Sequence, residues 1–472
     1  MAQKTLKNSD FLQPAPPEYK WPRCPEADQF IEECVRAFLA EHGFARRLAE
    51  RMKAETSTLF SVWVDHFLLP ARHYKLEDLK RLGFWEDKKA RRPAGAMVLY
   101  HPYADLPKIL LSSRFKEVGC AIMVDDIWRF QSAHRLSGDI HGAPYSTYRF
   151  MRLPEGVAEL YVVERRGSQN FVPDKRGRGE AYLQCFERWA ARPRHYDSEA
   201  EGMKETLRLA RQIVKAIGTG PAATLFLEGE RIYWQKRNHA GQIQKARQDE
   251  LGLGWANHDH HTFRSSRSHF PMLIEILLTF GFKKRERYYA GKEAGWGAQI
   301  MEQPEAGVII FADVDLSLED VTVDFSKVAL PDLNKPGTVG LWCALHGESI
   351  LQAGMHHLEA KFEFDQLKKD LQEKQIETMP PFSDFFFLRQ AFTKAEMWPV
   401  ADTRLNALRE AGRLSEEAYQ QIKAKGAVGS HLENLQRHEG FKGFNQRGVS
   451  DIISAVNPEK LALSRLSERG AA

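Results

Sequence analysis

The spacing of apolar positions changes several times along the chain. Residues 26–60 begin "EADQFIEECVRAFLAEHGFARRLAERM", with apolar side chains three and four apart. That spacing predicts a helix, broken near Gly43. Short apolar runs follow. "VDHFLLP" and "AMVLYHPYADLPKILLS" read as strands around a short amphipathic helix, the second run turning at Pro102 and Pro107. "VGCAIMVDD" (118–126), helical "IWRFQSAHR" (127–135), "YSTYRFMRL" and "VAELYVVER" repeat the order of strand, helix and strands. Residues 178–217 return to helical spacing. The strand–helix–strand order then resumes at "NHDHHTFR" and again at "GMHHLEAKF", and the chain is helical once more from 401, ending in a glycine-rich, turn-like segment at 440–453. Four strand–helix–strand–strand modules in two pairs are the simplest account of this alternation.

The predicted fold class is therefore α+β, with duplicated βαβββ modules forming open barrels and helical segments added. The expected organisation is a helical segment at 1–60, a first module pair at 61–170 and a helical connection at 171–250. A second module pair with the metal site follows at 251–400, then an extension at 401–472 that completes the site.

Composition excludes little and narrows the rest. The 472 residues carry 67 basic and 63 acidic side chains, a net charge of +4. So even a balance gives no reason to expect nucleic acid or an anionic membrane as partner. The cluster "KKRER" (283–287) reads as a solvated face. Five cysteines, widely spaced and without a CxxC pair, argue against a disulfide framework and against thiolate zinc, and fit a reducing cytoplasm. The polar, proline-rich start has no apolar core of a signal peptide. Phosphate loops, GxGxxG, HExxH and GxSxG elbows are absent.

Chemistry is concentrated where histidines fall on strands. Side chains alternate faces along a strand. In "NHDHHTFR" this puts His258, His260, Thr262 and Arg264 on one face and Asn257, Asp259, His261 and Phe263 on the other. In "MHHLEAKF" it puts His357, Glu359 and Lys361 together, opposite His356, Leu358, Ala360 and Phe362. Each stretch opens a module, so the two strands can meet at one barrel axis. Two imidazoles and one carboxylate leave coordination positions open, which suits non-haem Fe(II) oxygen chemistry and equally a Lewis-acid isomerase or lyase. A non-catalytic protein binding a small carboxylate is the third reading.

These paired modules resemble the vicinal-oxygen-chelate superfamily, and residues 255–412 resemble the 2-oxoadipate dioxygenase/decarboxylase family within it. The family's first metal strand reads like "DHxAFR", here "DHHTFR". The likeness implies His260 as a ligand and Arg264 as the group that grips the substrate carboxylate. Its second metal strand, a helix and a strand like "LLRQTSFKA" are matched by "HHLEAK", a helix and "FLRQAFTKA", implying His357 as the second ligand and Arg389 and Gln390 as catalytic-pocket residues. The family's glutamate ligand lies in a stretch like "GEIEQRG". Here "LNALREAG" offers Ala407 and Arg409 at the glutamate positions, and a shift makes Glu410 the expected third ligand. Glu359 and Glu433 are substitutes. The resemblance implies an Fe(II) enzyme (another divalent metal fits the same donors) acting on a small-molecule 2-oxo acid and O2.

The first module pair has His66 on its first strand and Glu159 on its last. Because "GCAIMVDD" has no histidine, the expected triad is incomplete and this half reads as structural. His141, in "DIHGAPYSTYR", reads as a turn or pocket residue.

Overall fold

The computed structural model describes residues 20–174 and 177–467, so the start of the polar N-terminal segment lies outside the described residues. Helices α1 (Pro25–Glu41) and α2 (Gly43–Thr56) are separated at His42, whose ring accepts the backbone N–H of Ala45 and so caps α2. The break predicted near Gly43 falls at this cap.

The first sheet follows. Strand β1 (Val64–Pro70), α3 (Leu76–Arg81), β2 (Trp85–Glu86), β3 (Ala96–Tyr100) and β4 (Lys108–Ser112) form one βαβββ module. Strand β5 (Gly119–Met123), α4 (Ile127–His134), β6 (Tyr148–Glu155) and β7 (Ala158–Arg165) form the next. There a single bridge from His141 to Phe150 stands where a second strand would run. The seven strands are ordered β2-β3-β4-β1-β5-β7-β6, so the two modules join through the antiparallel pair β1–β5.

Four helices intervene: α5 (Gly179–Ala190), α6 (Glu199–Ile217), α7 (Thr219–Gln235) and α8 (His239–Glu250). Their apolar stripes bury against the second sheet. Phe226 of α7 stacks on Phe280 at 4.7 Å, and Trp189 of α5 meets both rings edge-on. Buried Glu230 is held by Arg192 and Arg194 at 2.8 Å each. Those arginines also donate to the carbonyls of Ile350 and Leu351, tying the helical layer to the segment that leads into the fourth module.

The third module is β8 (His258–Arg264), α9 (Phe270–Thr279), β9 (Lys283–Tyr289), β10 (Trp296–Gln303) and β11 (Val308–Asp315). "KKRER" is thus most of a strand rather than a free solvated face; Arg285 is buried and paired with Glu286. After α10 (Thr338–His346) comes the fourth module: β12 (His357–Lys361), α11 (Phe364–Glu373), β13 (Ser383–Phe385) and β14 (Leu388–Phe392). An insertion then interrupts it, with β15 (Met397–Trp398), α12 (Asp402–Glu410), α13 (Glu416–Lys425) and β16 (Ala427–Val428). The module's last strand, β17 (His431–Arg437), comes only afterwards, followed by α14 (Gln446–Ala455) and α15 (Pro458–Ser467). The segment 440–453, read from sequence as a turn, is largely the helix α14. Sheet order is β13-β14-β17-β12-β8-β11-β10-β9, joined through the antiparallel pair β8–β12. The fold is α+β, built from repeated βαβββ modules in two open sheets with helices added. No helix among the described residues is long and apolar enough to cross a membrane.

The two joints are the same joint. In β8 the pairing skips from His258↔Ala360 to His260↔Glu359, leaving Asp259 as the extra residue of a β-bulge. In β1 it skips from Val64↔Ile122 to His66↔Ala121, leaving Asp65. Each bulged aspartate takes the same two-pronged bond from an arginine at the end of the module's last strand. Arg165 Nε and Nη2 reach Asp65 at 2.5 and 2.8 Å; Arg437 Nε and Nη2 reach Asp259 at 3.3 and 3.0 Å. Arg165 and His66 hold Asp65 well below the usual carboxylate range although burial opposes it. Removing one member of such a buried pair strands the other. Arg165→Leu is expected to cost about 3–5 kcal/mol, read as a lower urea midpoint. Adding Asp65→Asn should recover part of the loss.

Candidate metal centre

Strands β14, β17, β12, β8 and β11 lie side by side. On their face away from the α5–α9 layer they gather Gln390, Glu433, His357 and Glu359, His260, Thr262 and Arg264, and Phe311 and Asp313. The C-terminal segment closes this face: Phe444 meets Phe311 at 5.2 Å, and Phe311 meets the His260 ring at 4.5 Å.

Three ligand atoms converge. His357 Nε2 is 3.1 Å from Glu433 Oε2 and 3.4 Å from His260 Nε2, and the His260–Glu433 edge is 4.0 Å. All three residues are buried. An ion about 2.0–2.2 Å from each donor fits a triangle of this size. Two imidazoles and a carboxylate from one side are the donor set of open-faced Fe(II) sites.

Further groups orient these donors. His260 Nδ1 lies 3.1 Å from Glu359 Oε1 and 3.6 Å from Asp259 Oδ2, which leaves Nε2 to face the ion. Gln390 Nε2 donates to Glu359 Oε2 at 2.9 Å and to Glu433 Oε1 at 3.1 Å, holding the two carboxylates apart. His357 Nδ1 lies 3.0 Å from His356 Nδ1, and Thr262 Oγ1 bonds His357 Nε2 at 2.8 Å, a bond that an ion on Nε2 would displace. Burial, together with the charges of His260 and Arg264, keeps His357 neutral. Burial also pulls His260 down, but Glu359 and Asp259 outweigh it and lift the imidazole to about 9. Glu433 is pushed well up by burial and by the Glu359 charge.

Arg264 lies in the same chamber, 1% exposed. Its Nε is 3.9 Å from Asp313 Oδ2, and none of its side-chain nitrogens has a hydrogen-bond partner among the described residues. A buried guanidinium left this way is costly unless an anion joins it. Burial pushes Asp313 up to about 7 against the opposing charges of Arg264 and His260.

The sequence-derived candidates divide. His260, His357, Arg264 and Gln390 come together. Glu410 does not: it is exposed at the end of α12, in the insertion, and the carboxylate that lies with His260 and His357 is Glu433. Arg389 points to the opposite face from Gln390, as alternation requires, and pairs with Asp365 and Asp384. The bulge also overturns the expected grouping of "HDHH". Asp259 turns to the side of His260, while His258 sits 5.3 Å from His261 and bonds the Trp255 carbonyl. Residues missed as site members are Asp313, which completes the Arg264 chamber, and Arg437, which fixes Asp259.

Register places first-half counterparts at each position. His66 corresponds to His260, Gly119 to His357 and Tyr161 to Glu433. One ligand type of three is kept. Glu159 corresponds to His431, and it takes bonds from Arg152 and Tyr161 rather than meeting His66. His141 is a strand-bridge residue stacked on Phe150 at 4.8 Å.

No family model matches this chain, and no curated protein matches it. Among solved structures it is similar to a mutant of 4-hydroxymandelate synthase from Streptomyces coelicolor, 12% identical over 87% of this chain and 99% of that one, TM-score 0.24. A methylmalonyl-CoA epimerase from Mycobacterium tuberculosis is 11% identical over 39% and 88%, TM-score 0.22. An uncharacterized protein from Shigella flexneri that includes a domain of unknown function is 14% identical over 57% and 86%, TM-score 0.23. The synthase and the epimerase are vicinal-oxygen-chelate proteins. At these scores the likenesses carry no information about what this chain does.

Glu433→Ala is expected to weaken divalent-metal binding by about 100-fold or more, Gln390→Leu by about 10–100-fold, and Glu410→Ala not at all, by calorimetric titration under anaerobic conditions. The metal must displace a proton from His260, which titrates at about 9. Apparent affinity should therefore rise with pH below 9 by at least about tenfold per unit, more steeply where the raised Glu433 carboxyl must also give up its proton, and level off above it. A flat profile would show that His260 Nε2 does not face the ion.

Proposed function

We propose that this chain is an Fe(II) dioxygenase that converts a 2-oxo carboxylic acid and O2 into CO2 and an oxygenated acid one carbon shorter. The observation that carries this reading is a buried His–His–Glu face (His260, His357, Glu433) beside a buried guanidinium, Arg264, that has no hydrogen-bond partner among the described residues. Bound Fe(II) would supply the activation of dioxygen, and three donors from one side leave it room for substrate.

The remaining tasks fall to the chain. Arg264 would take a substrate carboxylate in a two-pronged, charge-assisted bond. Asp313 sits beside it with a carboxyl raised to about 7, so near neutral pH its protonated form leaves the Arg264 charge for the incoming anion. Phe311 and Phe392 pack on the rings of His260 and His357, Phe444 packs on Phe311, and together they would limit water there. Gln390 keeps Glu433 and Glu359 in separate roles, one toward the ion and one toward His260. With Glu433 available, the main reason for reading the chain as a metal-free descendant is gone. An isomerase would use the same donors and differs in consuming no oxygen.

The test is oxygen uptake and CO2 release by the Fe(II)-loaded protein with a panel of 2-oxo acids. Equal consumption of O2 and release of CO2 are expected with at least one of them. Arg264→Met should raise KM by about tenfold or more with a smaller change in kcat. A loaded protein that takes up no oxygen with any member of the panel would sink the proposal.

A further inference from the structure

Between the two sheets lies a cavity of about 370 Å³, and none of His260, His357, Glu433 and Arg264 lines it. Seven basic side chains reach it, Lys108, Arg165, Arg231, His258, Lys361, Arg437 and His438, beside the carboxylates Asp28, Glu32, Asp65 and Asp105. Four of the cations are already matched. Arg165 pairs with Asp65, Arg437 with Asp259, Lys361 with Asp105 and Lys108 with Asp87.

Arg231 is different. It projects from α7 and is 8% exposed, with no carboxylate within ion-pairing distance among the described residues. Its side chain meets His261, Nη1 to Nε2 at 3.2 Å. That partner brings no negative charge, because an imidazole is either neutral or cationic. Glu228, one turn earlier on the same helix, feels the Arg231 charge but forms no ion pair with it, and Tyr182 bonds it instead; Asp125 accepts the backbone N–H of Trp255. Holding a guanidinium this far from bulk water without an ion pair carries a cost. An anion entering the cavity would relieve that cost. The walls suit an organic ligand as well as a bare ion, because Leu227, Val308 and Leu435 form part of the lining.

We infer that this cavity binds a small anionic metabolite, seated by a phosphate or carboxylate group on Arg231 at the junction of the two halves. The metal chamber has its own anion seat at Arg264, so the two sites can be told apart.

The test uses the full-length, metal-free protein titrated calorimetrically with two probes, inorganic phosphate and succinate. At least one should bind saturably with a dissociation constant of about 1 mM or tighter. Saturation by phosphate alone assigns a phosphate ligand, and by succinate alone a carboxylate. In an Arg264→Met background, which removes the metal chamber's own anion seat, Arg231→Met should weaken that binding by about tenfold or more and Arg231→Lys should restore part of it. If Arg231→Met does not fold, Thr224→Phe obstructs the cavity from the same helix while keeping the charge, and the same loss is expected. The inference is overturned if neither probe saturates, or if binding survives Arg231→Met or its Thr224→Phe substitute.

Discussion

Everything at the metal centre depends on one antiparallel pairing, β8 against β12, and on the extra residue it accommodates at Asp259. A regular ladder would have put His258 with His260 and sent Asp259 to the far side. The bulge reverses this. It turns a carboxylate toward His260 Nδ1, anchors that carboxylate with Arg437, and sends His258 toward the inter-sheet cavity. One inserted position thereby supplies the metal ligand with its orienting charge and removes the competing imidazole.

The same device recurs at Asp65 in the first half, where its bonds to Arg165 use the same atoms. What the first half lacks is the neighbouring ligands, since Gly119 and Tyr161 stand where His357 and Glu433 do. The bulge with its arginine is therefore a property of the module joint, and metal binding is a property of a few side chains placed on it. That separation explains how one scaffold can carry the bulge in both halves and the candidate ligand triad in only one of them.

Much of this was legible in the sequence. The period-two and period-three-to-four patterns give the βαβββ repeats, the first strands mark where histidine ligands can come from, and the resemblance to the family's metal strands selects His260 and His357. Alternation alone puts Gln390 and Arg389 on opposite faces. Two features were hidden, each for a physical reason. A bulge has no side-chain signature in "HDHH", because the skip is decided by the partner strand. Glu433 was masked by the insertion 393–430, which separates the fourth module's last strand from the rest and carries a decoy in Glu410. The signal available was the module count: the fourth repeat was short of a strand, and "HLENLQR" follows the insertion with His431 and Glu433 two apart.

The origin of the three ligands has a mechanical consequence. His260 belongs to the third module, whereas His357 and Glu433 belong to the fourth. An ion held by all three is a cross-brace over the seam between two separately wound pieces of chain. It loads the seam where the ladder is already irregular, and neither piece can form the brace alone. Occupancy of the centre and rigidity of the seam are thus a single mechanical variable.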